Sequence, residues 1–168
     1  VRAAWALHLM SVWGIRTEEE RVNALAAELR ADIGEIRLKL SQAGIFRPSG
    51  AKNMAVVEEM VRKAYAVKGL DCPMTPSGKK PSTSAEALEE SGDPVLVELG
   101  GMSGPSKLLS TYVPALEQGV RVPINARFNV LVESGRTSCG KPNLQNPPRK
   151  GGVRPCFVPR SGFVFISV

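Results

Sequence analysis

Apolar positions along this chain fall first at helical spacing and only later in short β-rich runs. Val22, Leu25, Leu29, Ile33, Ile36 and Leu40 recur at intervals of 3, 4, 4, 3 and 4 residues, a narrow stripe on a predicted helix of about seven turns. Thr17 followed by Glu18, Glu19 and Glu20 marks its start. The Thr17/Glu20 pair has capping-box spacing, and the three carboxylates lie near the positive end of the helix dipole. Gly44 closes it. A long solitary stripe of this kind implies packing against another helix.

Met54, Val57, Val61 and Ala64 mark a second amphipathic helix that ends near Gly69. Asp71 to Ser82 carries three prolines, Gly78 and the pair Lys79-Lys80, the composition of an exposed, mobile tip. Thr83 with Glu86 forms a further capping-box candidate, opening a short helix through Leu88. Asp93-Pro94 places a good N-cap before a proline at the first helical position. Gly100, Gly101, Ser103 and Gly104 interrupt that helix. Pro105 restarts the pattern, with Leu108, Leu109, Tyr112, Val113 and Leu116 on one face up to Gly119.

After Gly119 the character changes. Val120 with Val122, Phe128 to Val132, and Phe163 to Val168 are β-rich runs. The last reads as a central strand buried on both faces; left without neighbours, it would expose apolar surface and drive association. The turn-rich segment from Gly135 to Gly152 is too irregular for an element, and long loops of this kind tend to be functional. The expected class is α+β: a helical antiparallel module followed by part of an antiparallel sheet.

Composition narrows the functions available. At 168 residues the chain is one domain or one large piece of a bigger one. It does not begin with Met and shows no charged-then-apolar leader. No apolar run approaches the roughly 20 residues of a membrane span, so neither secretion nor a membrane is expected. Cys72, Cys139 and Cys156 are far apart and odd in number, which disfavours a disulfide framework or zinc site and favours a cytoplasmic setting. The single histidine, His8, lies in the apolar series Trp5, Leu7, Leu9, Val12 and reads as a packed helix residue rather than a base.

The net charge is +6, and its distribution matters more than its size. Residues 121–168 carry Arg121, Arg127, Arg136, Lys141, Arg149, Lys150, Arg154 and Arg160 against Glu133 alone, whereas the first 120 residues nearly balance. Clustered Arg and Lys are the usual footprint of a polyanion partner. No Gly-x-Ser-x-Gly, Walker loop, paired acidic metal site or Cys/His ligand set is present. Gly100 to Gly104 lacks the Lys-Ser/Thr ending of a phosphate loop and reads as a helix break. On its own residues the chain has no group that performs chemistry.

What it carries are contact groups suited to DNA. Asn143, Gln145 and Asn146 offer amides that both donate and accept, and Arg136 a planar fork that reaches two acceptors. Every base pair presents similar minor-groove acceptors whatever its sequence, so such groups can check duplex geometry without reading bases. An Asn-rich turn whose amides cap their own backbone is an equal reading of these residues alone.

Six motifs in order resemble the thumb and palm of family A DNA polymerases, the class of bacterial polymerase I and many phage replicases. Leu7, Met10, Gly14 and Ile15 precede the acidic helix start. Ser77-Gly78-Lys79-Lys80-Pro81-Ser82-Thr83-Ser84 resembles the family's thumb tip, and Lys107-Leu108-Leu109-Ser110-Thr111-Tyr112-Val113 its second long thumb helix. Arg127-Phe128-Asn129, Gly135-Arg136 and Pro142-Asn143-Leu144-Gln145-Asn146 follow in the family's order. Thr137-Ser138-Cys139 and the short Phe128–Gly135 spacing look more like phage members.

The resemblance implies residues 1–16 as the palm–thumb connection, 17–118 as the thumb and 119–168 as the first part of the palm. It implies that the chain stops one residue before the first metal-binding aspartate. Arg136 is then expected in the minor groove at the primer-terminal pair and Lys107 in that of the product duplex. Lys79, Lys80, Ser82, Thr83 and Ser84 are expected on primer-strand phosphates, with helix-start N–H groups assisting. Asn143 and Asn146 are expected near sugars or phosphates, beside Gln145, with Arg149 or Lys150 and Arg154 as further phosphate contacts.

The implied function is the primer–template-binding portion of a DNA-directed DNA polymerase. Its partners are primer–template DNA and the remaining palm and fingers, in the same polypeptide or a second chain. The completed enzyme needs Mg2+; this chain has no cofactor of its own and is expected to be inactive alone. If phage-encoded, it works in the host cytoplasm. The alternatives are a stand-alone, sequence-independent duplex-binding module without enzymatic activity and a helical protein-interaction domain.

Overall fold

The computed structural model describes residues 2–129, 132–133 and 135–166, with side chains from residue 4 onward. The expectations for Val130, Leu131, Ser134, Ser167 and Val168 therefore lie outside the described residues. The fold is α+β, with helices and two short antiparallel strand pairs. Two compact units divide the chain: a helical unit of Arg30–Ser106, and a bipartite unit built from Val1–Leu29 and Lys107–Val168. Among the described residues no helix is long and apolar enough to cross a membrane.

Helix α2, Glu19–Gln42, carries the predicted stripe into two cores. Val22, Leu25, Ala26 and Leu29 pack with Val113 and Leu116 in the bipartite unit, so the stripe does meet another helix. Leu40 belongs to the core of the helical unit. Thr17 is not the cap of α2. It sits in strand β1, Arg16–Thr17, buried, and its Oγ1 donates to the Leu116 carbonyl at 2.6 Å. The helix starts two residues later, and Glu18 pairs with Arg21 one turn on.

The helical unit follows its sequence closely. Helix α3, Met54–Lys68, buries Val57, Val61 and Tyr65 at every fourth position and closes on Gly69, whose φ of 66° is the left-handed cap. Helix α4 spans Ala85–Ser91 and α5 spans Pro94–Gly101. Asp93 Oδ1 accepts from the N–H groups of Val95 and Leu96 at 2.9 and 3.1 Å, the expected cap. The cap of α4 is Ser84 rather than Thr83: Ser84 Oγ accepts from Ala87 N–H at 3.2 Å. Leu40, Ile45, Leu88, Leu96, Leu99 and Met102 complete this core. The Tyr65 hydroxyl donates within it to the Ala87 carbonyl at 3.0 Å, and burial, then Glu90, pushes its pKa up.

The 71–82 segment is exposed over Pro76–Lys80 but tied at its base. Thr75 N–H bonds the Lys80 carbonyl at 2.8 Å, Ser82 N–H bonds the Pro73 carbonyl at 2.7 Å, and Pro81 is buried.

The bipartite unit departs more from expectation. Helix α1 spans Arg2–Trp13, and His8 on it is exposed beside Trp5, not packed. A short α6, Ser103–Lys107, runs through a π-helical turn, Leu108–Tyr112, into α7, Val113–Arg121. Val113 N–H bonds the Leu108 carbonyl five residues back, and Pro114 has no N–H to restore the usual four-residue step. Helix α7 runs past Gly119 and takes in Val120, which sequence placed in a β-rich run. Gly119 is there for contact, not termination: a Cβ would lie 2.6 Å from Thr17 Oγ1 and 2.8 Å from Ile124 Cδ1.

Strand β2, Arg127–Asn129, pairs antiparallel with β3, Ser138–Gly140, in the register Phe128 to Cys139. Strand β1 pairs antiparallel with β4, Phe157–Val158. Neither β3 nor β4 stands out in the sequence, because each is two or three residues long and fixed by its partner. Phe163 to Ile166 forms no strand among the described residues and is exposed, by 70, 77, 58 and 83% in turn. The expected central strand is not formed among the described residues, and the run exposes its apolar side chains, as expected of it without neighbours.

Candidate nucleic-acid interface

The functional groups of residues 121–168 stand on three linked segments. The first is the connection from β2 to β3. Gly135, at φ 68°, turns the chain and Arg136 follows, exposed, with no hydrogen bond or ion pair among the described residues. Beyond β3, Lys141 is held at φ 58° ahead of a cis peptide bond to Pro142.

The second segment is the amide turn. Asn143 Oδ1 accepts from the backbone N–H groups of Gln145 and Asn146 at 3.1 and 3.2 Å. That oxygen caps its own turn, so for Asn143 the local-backbone reading of the amides holds. Gln145 Nε2 donates to Thr137 Oγ1 at 3.0 Å and ties the turn to the loop bearing Arg136. The Asn146 side chain is exposed. Pro142, Leu144 and Pro147 face Leu116, Ile124 and Phe157 across a small apolar cleft, which seats the turn on α7.

The third segment runs from Arg149 to Cys156. Gly151 sits so close to Leu108 that a Cβ would fall 2.3 Å from Leu108 Cδ1. Arg149 and Lys150, which precede Gly151, are both exposed, as is Lys107, the residue before Leu108. Arg154 opens a 3-10 turn, Arg154–Cys156. Its Nε and Nη2 both donate to the Pro147 carbonyl, at 3.2 and 3.1 Å. Val153 and Cys156 on either side are buried in the core, and burial pushes the Cys156 thiol up.

Lys107, Arg136, Asn143, Gln145, Asn146, Arg149 and Arg154 all belong to the bipartite unit, where hydrogen bonds join the Asn143–Asn146 turn to Thr137 and Arg154 to Pro147. Lys79, Lys80, Ser82, Thr83 and Ser84 stand on the helical unit. Lys80 there pairs with Glu58 at 3.0 Å, Ser82 Oγ accepts from Ser84 N–H at 3.3 Å, and Ser84 caps α4. Only Lys79 and Thr83 of that set make no such bond among the described residues. Sequence reasoning missed Thr137 and the Pro147 carbonyl, the two acceptors that hold the amide turn; neither position carries a pattern that could have revealed it.

Among the described residues no three His, Cys, Asp or Glu side chains lie together as a cation site. Glu133 is the only carboxylate of residues 121–168. The residues present therefore do not fit a magnesium site. An apolar groove of about 650 Å³ opens on the bipartite unit beside the amide turn, with Thr137, Leu144 and Gln145 in its wall. Leu7, Met10, Trp13, Phe128, Phe163 and Phe165 line it, and Arg160 lies over the Trp13 ring at 5.5 Å.

No protein-family model matches the chain. Among solved structures, it is similar to the POL domain of Pol1 from M. smegmatis, determined in complex with a DNA primer–template and a dNTP. The likeness has a TM-score of 0.63 at 26% sequence identity and covers 89% of this chain. This chain spans 27% of the length of that one. The chain is therefore folded like a portion of a DNA polymerase domain.

Proposed function

We propose that this chain is the duplex-gripping portion of a phage-type family A DNA polymerase, with residues 17–118 as thumb and 119–168 as the first part of the palm. The observation that carries the reading is the likeness, over nearly the whole chain, to a polymerase domain bound to primer–template. The ordered motifs from Leu7 to Asn146 support it independently.

In this reading the bipartite unit holds the primer end. Arg136 lays its fork on the minor-groove acceptors of the terminal pair, purine N3 and pyrimidine O2, which every base pair offers. Asn146 and Gln145 reach adjacent sugars, with Asn143 shaping the turn beneath them. Lys107 reaches the minor groove of the product duplex, and Arg149 or Lys150 meets backbone phosphates. Lys79, with Lys80 once released from Glu58, meets primer-strand phosphates from the helical unit, beside Ser82, Thr83 and Ser84. The apolar groove beside α1 receives the remaining palm, and that partner brings the aspartates and magnesium that nucleotidyl transfer requires.

The test is complementation. The chain is mixed with a polypeptide carrying the rest of a family A palm and fingers, and primer extension is followed with and without magnesium. Magnesium-dependent extension by the mixture, absent from either part alone, is the expected result. Duplex binding that persists while no mixture extends a primer would point to a stand-alone binding module. Absence of duplex binding at low salt would return the chain to the protein-interaction reading.

A further inference from the structure

Arg154 belongs to the basic excess of the last third of the chain, and its sequence position suggests a phosphate contact. Its surroundings describe another task. The 143–150 loop has no ladder to hold it, and Pro147 and Pro148 remove two consecutive backbone N–H groups. Such a loop needs a donor from outside itself. Arg154 supplies one, with Nε and Nη2 converging on the Pro147 carbonyl. The arginine stands on a firm base, because Val153 at 0% and Cys156 at 1% exposure anchor its 3-10 turn in the core. From Pro147 the connection continues through the Asn143 turn to Gln145, and from Gln145 Nε2 to Thr137, next to Arg136.

We infer that Arg154 is a positioning residue: it fixes the amide turn, and through that turn the Arg136 loop, in the geometry that meets the duplex. This rests on the proposed duplex-binding function. It assigns to Arg154 a role through Pro147, not a contact with phosphate. The two roles differ in an observable way. A lost phosphate contact lowers the slope of log K against log salt by about 0.9. A lost positioning contact weakens binding at all salt concentrations and leaves the slope unchanged.

Fluorescence anisotropy of a labelled primer–template duplex, titrated across a salt series, makes the measurement. The chains compared are wild type, Arg154→Met, Arg154→Lys, Gln145→Ala and the double variant Arg154→Met with Gln145→Ala. Arg154→Met is expected to bind about tenfold more weakly, the scale of a lost hydrogen bond to a charged group, with the wild-type slope. Arg154→Lys, with a single donor, is expected to restore part of the loss. The Arg154→Met effect is expected to shrink toward nothing when Gln145 is already gone, because the two act in series. A merely structural role elsewhere would instead add to the Gln145→Ala effect.

A slope reduced by about 0.9 in Arg154→Met and restored in Arg154→Lys overturns the inference in favour of a phosphate contact. So does unchanged affinity in Arg154→Met. Thermal unfolding checks that each variant is folded; if Arg154→Met is not, Arg154→Lys alone and combined with Gln145→Ala gives the same decision through additivity. Failure of the wild-type chain to bind duplex at all would be a failure of the duplex-binding reading itself, and is told apart by the wild-type arm.

Discussion

In the helical unit, every fourth residue of α3 is buried, and Asp93, Ser84 and Gly69 cap helices that begin or end beside them in sequence. In the bipartite unit the decisive bonds cross long stretches of chain. Thr17 donates to Leu116, Arg16 to the Arg121 carbonyl, Arg21 to Pro155 and Arg160 to Trp13. Arginines there donate to carbonyls at the last residues of α1 and α7 and in the 3-10 turn. The first unit is held by an apolar core with local caps, the second by a smaller core plus polar staples. A charge count alone therefore overstates how many of its cations are available to a polyanion.

The largest expected effect lies in the helical unit. Leu96 is fully buried in its core, and Leu96→Ala should destabilise that unit by about 2–5 kcal/mol, as cavities at such sites do. Hydrogen exchange resolved by segment checks this. Amides of α3 and α5 should lose protection well before those of α7. Equal loss in both would mean that the two units unfold as one.

Next in size is a substitution aimed at the bipartite unit. Gly119→Ala drives a methyl group against Thr17 Oγ1 and Ile124. The expected cost is about 1–3 kcal/mol from overpacking. Denaturant unfolding followed at the tryptophans of α1 reads it, and a neutral result would contradict the close approach of α7 to β1.

Tyr65 gives the helical unit a pH dependence. Its folded pKa is raised above the ordinary 10.0, so its contribution is complete below pH 10 and is lost as pH rises through the folded value. Alkaline titration should therefore unfold this unit first, and Tyr65→Phe should flatten that response at a cost near 1 kcal/mol through the lost bond to Ala87. A Tyr65→Phe chain with unchanged alkaline sensitivity would remove Tyr65 as the cause.

The smallest effect compares two neighbours. Ser84→Ala should cost about 1 kcal/mol as the loss of an N-cap, whereas Thr83→Ala should be close to neutral. Equal costs would return the cap to Thr83. Melting temperatures of the two variants decide it.

These contrasts explain what could be read from sequence. Helices α2, α3 and α5 were legible because burial at 3.6-residue period leaves its mark on residue type, and Asp93-Pro94 states its cap outright. Thr17 and Thr83 were misread for one shared reason. A hydroxyl beside a helix start looks like a cap whether it faces the helix N–H groups or a carbonyl elsewhere, and only the fold decides. Strands β1, β3 and β4 left no periodicity because they are too short to carry one. Phe163 to Ile166 reads as a strand because it is an unbroken β-branched and aromatic run, but no described strand pairs with it. The groups of the candidate site were legible as residue types. What was not legible is that Arg154 donates to the Pro147 carbonyl while Arg136 and Lys107 make no side-chain bond among the described residues.

The central question is whether the bipartite unit grips a duplex through Arg136 and Lys107. The most direct measurement is a low-salt anisotropy titration of primer–template duplexes of unrelated sequence with wild type, Arg136→Ala and Lys107→Ala. Tight binding that is indifferent to sequence and falls steeply with salt is the expected result. Each substitution should weaken binding by about 1–3 kcal/mol, as the loss of a groove contact does. Affinity unchanged in both variants would contradict this grip.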